Sequence, residues 1–184
     1  MKIIAGELKG KILTYPKDRL RPTTDKIRGA VFNMIEANFP TLLNNAIVCD
    51  IFSGAGAVGI EALSRGAINV TCIENDKVTL KYLKENLHGL ENRSIIIPID
   101  AIKTIDKIRD KKFDLIFLDP PYNMGLVELT VKKVARYNML KEDGIMVIEH
   151  HKKEIFSTPL NMSLFKIKDY SDTLITILVH KEEK

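Results

Sequence analysis

From Ala46 onward the chain alternates between short apolar runs and longer stretches whose apolar positions recur at helical spacing. The runs Ala46–Phe52, Asn69–Glu74, Ser94–Ile99, Phe113–Leu118 and Ile145–Glu149 are apolar almost throughout. Strands covered on both faces of a parallel sheet have that pattern, whereas half-exposed strands alternate apolar with polar. Between them, Val58–Arg65, Asp76–His88, a shorter segment near Ile102–Arg109, and Leu126–Tyr137 read as helices, with Gly66 and Gly89 at C-terminal cap positions. Leu164–Lys168 and Leu174–His180, joined by Asp169-Tyr170-Ser171-Asp172, read as an antiparallel hairpin. The expected fold is α/β and Rossmann-like: a seven-stranded, mostly parallel sheet ending in an antiparallel hairpin, with helices on both faces.

The first part of the chain has a different character. Lys2–Ala5 and Lys11–Tyr15, separated by Gly6 to Gly10, read as a small β-hairpin. An irregular stretch, Arg19 to Asp25, leads to a helix that ends near Asn38, with Ile27, Val31, Met34 and Ile35 on one face and Thr23 or Thr24 as its cap. Charge separates this region from the rest. The net charge is +4, yet residues 1–28 carry eight basic side chains against three acidic ones, so the remainder is close to neutral. That is the footprint of a phosphate-binding arm, expected over 1–22, attached to a Rossmann-like domain over 23–184.

Candidate chemistry sits at strand ends. Phe113–Leu118 runs into Asp119-Pro120-Pro121-Tyr122. Two prolines stop ladder pairing and stiffen the exit loop. Ligands of open α/β sheets bind just outside the carboxyl ends of strands, so Asp119 and Tyr122 stand where chemistry is expected. Asp-Pro-Pro-Tyr is also the signature of methyltransferases that modify an exocyclic amine of a nucleobase. Such an amine is a poor nucleophile because its lone pair is delocalised into the ring. Asp119 and the Pro120 carbonyl, each accepting one N–H, would turn that lone pair toward a methyl donor, while Tyr122 would stack on the extruded base.

On the cofactor side, Gly54, Gly56 and Gly59 match the G-x-G-x-x-G loop, and Glu74 lies 20 residues after Gly54. This spacing alone fits a nicotinamide cofactor. Asp50, four residues before the first glycine, favours S-adenosylmethionine, because a carboxylate there opposes a pyrophosphate and suits a cationic methionine end. On this reading Ser53 and the glycines form the loop, Glu74 with Asn75 takes the ribose, and Asp100 with Ala101 takes the adenine. No metal is expected. His150 and His151 are adjacent on a strand and point to opposite faces, and Cys49 and Cys72 read as small buried hydrophobes. No apolar run approaches the ~20 residues that span a bilayer, and the N-terminus lacks a signal-peptide core. A cytoplasmic monomer without membrane contact is the expectation.

Three blocks together resemble the bacterial small-subunit ribosomal RNA guanine-N2 methyltransferases, within the class I S-adenosylmethionine-dependent enzymes. They are Ile3–Gly6, Leu8–Lys11 and Arg21–Arg28 with Phe32-Asn33; Asp50–Gly59 with Glu61–Ala67; and Asp119–Tyr122. The N-terminal block is the specific one, because the other two recur across amine methyltransferases. The resemblance implies a guanine of 16S-type rRNA, in the small subunit or an assembly intermediate, as substrate. It implies that Lys9, Lys11, Arg19, Arg21 and Arg28, with Thr23 and Thr24, hold the RNA. Gly29 departs from the usual Glu, and Ser171 from the usual glycine. A DNA adenine-N6 methyltransferase, a nicotinamide-dependent oxidoreductase and a non-catalytic ribosome-assembly factor stand as alternatives.

Overall fold

The computed structural model describes residues 1–16, 25–122 and 124–181. Its centre is a seven-stranded sheet built from β1 (Ile47–Ile51), β2 (Asn69–Ile73), β3 (Ser94–Ile97), β4 (Phe113–Leu118), β5 (Leu140–His151), β6 (Met162–Tyr170) and β7 (Thr173–His180). The strand order is β3-β2-β1-β4-β5-β7-β6. The first five strands pair parallel, and β7 pairs antiparallel with both β5 and β6. The expected Rossmann-like sheet with its terminal hairpin is therefore present. The chain order reverses between β1 and β4, which opens a crevice at their carboxyl ends.

Helices cover both faces. α1 (Asp25–Asn38), α2 (Ala57–Ser64) and α3 (Lys77–Asn86) lie on one side, where Val31, Phe32, Ile35, Ile60, Leu63 and Leu83 join Val48, Val70, Leu115 and Val147 in one core. α4 (Ala101–Lys107) and α5 (Leu126–Arg136) lie on the other, where Ile105, Val127, Val131 and Val134 meet Cys49, Ile51, Ile116 and Ile148. Successive residues of β1 and β4 thus feed opposite cores. That is why these strands are apolar without alternation.

β5 begins five residues earlier than its apolar run suggests. Phe113 pairs with Leu140, and the register then shifts before Leu115 pairs with Ile145. Lys141 to Gly144, which lies before the expected strand, forms an irregularity within β5, where a Cβ on Gly144 would lie 2.9 Å from the Phe113 carbonyl oxygen. The β6–β7 connection is tighter than expected. Tyr170 pairs directly with Thr173, leaving Ser171 and Asp172 as the loop, with Ser171 at φ 65°.

The N-terminal hairpin is a ribbon with one antiparallel bridge, Lys2 to Ile12. The Ile3 amide donates to Lys11 O and the Gly10 amide to Ile3 O, while Ile3 and Leu13 are buried in the α1–α3 core. Glu61 of α2 fastens it. Its buried carboxylate accepts the Ile4 and Ala5 amides at 2.9 and 3.1 Å and pairs with Arg28 and Arg65 at 3.5 and 2.8 Å. The turn rests directly on α2: the Glu7 amide donates to Ser64 O, and a Cβ on Gly6 would overlap that same carbonyl. Close approach, together with φ 81°, requires glycine at this position.

Candidate active site

A cavity of about 490 Å³ opens at the carboxyl ends of β1, β2 and β4. Its wall joins two loops that are far apart in sequence. The Asp119 amide lies 3.5 Å from Ile51 O, which brings the exit of β4 against the tip of β1. Asp50, Ser53, Gly54, Glu74, Asn75, Asp119, Pro120 and Tyr122 all line this one space. The two candidate halves, cofactor side and target side, are therefore a single site.

The glycine loop is held by carboxylates at two strand tips. Asp50 is buried in β1 and accepts the Gly59 amide at 3.0 Å. Burial raises its pKa to about 7; the Gly59 bond opposes that shift, and the nearby negative charge of Glu74 adds to it. Glu74 accepts the Gly54 amide at 3.0 Å and the Asn75 and Asp76 amides at 2.8 Å each. Gly56 and Gly59 stand behind the wall rather than in it. A Cβ on Gly56 would lie 2.6 Å from Leu83 Cδ1, and one on Gly59 would lie 2.9 Å from Val70 Cγ2. These glycines let α2 start hard against α3 and β2, which sets the depth of the loop.

On the target side, Pro120 is buried and Tyr122 half-exposed. The Tyr122 hydroxyl lies 3.2 Å from Thr173 Oγ1, and its ring meets His151 edge-on at 5.7 Å. The terminal hairpin thus fixes the ring that borders the cavity. The histidine pair acts separately, as expected: His150 is buried, its Nε2 2.9 Å from Thr176 Oγ1, while His151 faces Tyr122. Among the described residues no cluster of ligating side chains could hold a metal ion.

Four carboxylates, Asp50, Glu74, Asp76 and Asp119, border the cavity, and no lysine or arginine among the described residues does. Such a wall repels a dinucleotide pyrophosphate and suits a ligand with cationic groups.

The family model described as Conserved hypothetical protein 95 matches residues 1–179. Ribosomal RNA small subunit methyltransferase D of Buchnera aphidicola is 36% identical over 168 residues, covering 90% of this chain and 86% of that protein. The protein of the same name from Escherichia coli is 32% identical over 171 residues, covering 91% and 84%. A solved Escherichia coli chain, named as a candidate methyltransferase, superposes with a TM-score of 0.87 at 29% identity, covering 100% and 99%. The chain belongs to the ribosomal RNA small subunit methyltransferase D family.

Some predicted positions of this methyltransferase do not line this cavity. Asp100 caps α4, accepting the Lys103 amide at 3.1 Å, and neither it nor Ala101 is part of the cavity wall. Arg28 is a correction. It was expected to face RNA, yet it is 1% exposed, and its guanidinium reaches Glu61, Asp25 and the Lys2 carbonyl. Its charge is spent inside the fold, fastening α1 to α2 and the ribbon. Lys9 is exposed and Lys11 half-exposed on the ribbon. Arg19, Arg21, Thr23 and Thr24 lie outside the described residues.

Sequence reasoning missed several wall residues, among them Asp76, Phe52, Phe117 and Met1. Phe52 was read as the last residue of a strand but leaves β1 at φ 63°, a strained conformation for a bulky side chain, and borders the cavity. Phe117 reaches the wall from inside β4, and Met1 from the ribbon. Nothing in an apolar run marks which of its members meets a ligand.

Proposed function

We propose that this chain transfers a methyl group from S-adenosylmethionine to the exocyclic N2 amine of one guanine in small-subunit 16S-type rRNA, acting as a cytoplasmic monomer on the subunit or an assembly intermediate. The observation that carries the reading is the shared cavity. It has an acidic wall on the glycine-loop side, without lysine or arginine among the described residues, and Asp119-Pro120-Pro121-Tyr122 on the other. The names of the relatives support ribosomal RNA as the substrate class, and the family resemblance supplies the guanine N2.

The residues fit the methyl donor. Asp50 and Glu74 offer carboxylates to its cationic and hydroxyl-bearing parts, and the small Gly54 and Ala55 leave room for them. When bound, S-adenosylmethionine supplies a methyl group already activated on a sulfonium. The chain supplies position. Tyr122, anchored by Thr173, stacks on the extruded guanine. Asp119 and the Pro120 carbonyl accept the two N–H bonds of its amine and aim the lone pair. With the donor bound, its methyl group would pass to the aimed nitrogen as the bond to sulfur breaks, and Asp119 would take the surplus proton along its hydrogen bond. Most of the acceleration comes from this alignment. Lys9 and Lys11 of the ribbon, together with Arg19 and Arg21, hold RNA phosphates.

Tritium transfer from labelled S-adenosylmethionine into small subunits from a strain lacking this protein tests the proposal. Naked rRNA and duplex DNA serve as parallel substrates. Label mapped to a guanine N2 of the subunit RNA is expected. Label in DNA adenine would overturn the substrate, and no label in any substrate would overturn the activity.

A further inference from the structure

Asn86 closes α3 and is 4% exposed. Its side chain touches two segments already assigned to different ligands. Nδ2 donates to Thr14 O at 2.8 Å and to Ala55 O at 2.9 Å, and Oδ1 accepts the Thr14 amide at 2.9 Å. Thr14 lies on the second arm of the ribbon, three residues after Lys11. Ala55 lies between Gly54 and Gly56 in the cavity wall. Both N–H donors of the amide are engaged, so turning the side chain to suit one partner unpairs the other in a buried setting. The ribbon and the glycine loop therefore cannot shift independently. A second tie acts beside it: the Thr14 hydroxyl lies 3.1 Å from Glu85 Oε2, one residue before Asn86.

We propose that Asn86 is a positioning residue that couples RNA binding on the ribbon to cofactor binding on the glycine loop, so that each ligand tightens the other. The inference rests on the proposed function, in which the ribbon grips RNA and the loop holds S-adenosylmethionine. RNA that holds the ribbon holds Thr14, which fixes the Asn86 amide and with it the Ala55 carbonyl. A cofactor arriving then meets a loop already ordered. Linkage makes the effect reciprocal. The arrangement favours loading of the methyl donor when substrate is present.

The test uses S-adenosylhomocysteine, the demethylated product, as a non-reacting probe. Its dissociation constant is measured with and without saturating small subunits, for the wild type and Asn86→Asp. Aspartate still accepts the Thr14 amide but cannot donate to either carbonyl. Small subunits are expected to tighten wild-type binding about fivefold or more, within the usual range of coupling between sites, and to leave the affinity of a cooperatively folded Asn86→Asp variant unchanged. Wild-type affinity that ignores bound subunits, or a variant that tightens as the wild type does, would overturn the proposal. A second measurement needs neither the variant nor RNA. In the wild type, S-adenosylhomocysteine alone should slow hydrogen exchange at the Thr14 amide, and an unchanged rate there would also overturn the coupling. Failure of subunits to bind at all would instead count against the RNA reading and leave the Thr14 exchange rate to decide the coupling.

Discussion

The hydroxyl of Tyr122 lies 3.2 Å from that of Thr173, so the aromatic ring at the mouth of the cavity is held by the first residue of β7. The two are 51 positions apart in the chain. They meet because β5 carries its carboxyl end up to the cavity and β7 pairs back along it, with His151 opposite Thr173. A loop ring that would otherwise sample several rotamers is thereby given one.

Thr173→Val keeps the shape and removes the hydroxyl. Losing one hydrogen bond of about 1 kcal/mol should lower kcat/KM for methyl transfer roughly fivefold, without changing S-adenosylhomocysteine affinity. Steady-state kinetics beside a cofactor titration check this. A drop in cofactor affinity would show that Thr173 supports the loop side rather than the ring.

On the proposed function, basic residues near the N-terminus divide into two roles. Arg28→Ala leaves the Glu61 carboxylate buried with one cation fewer, and losing a partner of a buried pair costs about 3–5 kcal/mol. Denaturant unfolding should show that loss, while the salt dependence of subunit binding by folded protein stays as in the wild type. Replacing Lys9 and Lys11 with alanine should do the reverse: stability holds, and the slope of log affinity against log salt falls by about 1–2.

Burial raises the pKa of Asp50 to about 7. Between its ordinary value of 3.8 and about 7 the folded state therefore binds more protons at this position than the unfolded state. Its contribution to stability falls as pH rises through that window and is level above it. His150 works the other way, because burial lowers its pKa and the neutral ring is favoured in the fold. The difference between wild type and Asp50→Asn isolates the aspartate. Unfolding free energies at pH 5 and pH 8 should show the wild type losing ground to the variant by on the order of 3 kcal/mol. A cationic methyl donor favours the ionised carboxylate, so wild-type affinity for it should climb from pH 6 to pH 8. A variant with the same pH dependence as the wild type would contradict this assignment.

The fold was legible where residue type alone decides it. Phe113–Leu118 reads as a doubly covered strand because both of its faces are apolar, and its prolines mark its end. Lys141 to Gly144 was not legible: turn-forming residues were drawn into β5 by pairing with Phe113, a partner 27 positions away from Leu140. The candidate site was legible at its charged and glycine positions, since strand-end carboxylates and a glycine loop are local patterns. Arg28 misled because charge predicts exposure, and only the fold reveals that Glu61 waits inside. Asp100 is ambiguous for a similar reason: a carboxylate that caps a helix and one that meets a ligand follow a strand in the same way. Asn86 carries no sequence signal, because its meaning lies in two carbonyls that the fold brings to it.

The central claim is that Asp119 orients the target amine rather than building the cavity. Single-turnover methyl transfer to small subunits, measured for the wild type and Asp119→Ala beside S-adenosylhomocysteine binding by both, tests it most directly. Misplacing a reacting group by about 1 Å costs on the order of a hundredfold in rate. The variant should bind the product as tightly as the wild type and transfer methyl groups at least about a hundredfold more slowly. A variant that transfers at nearly the wild-type rate would contradict the account.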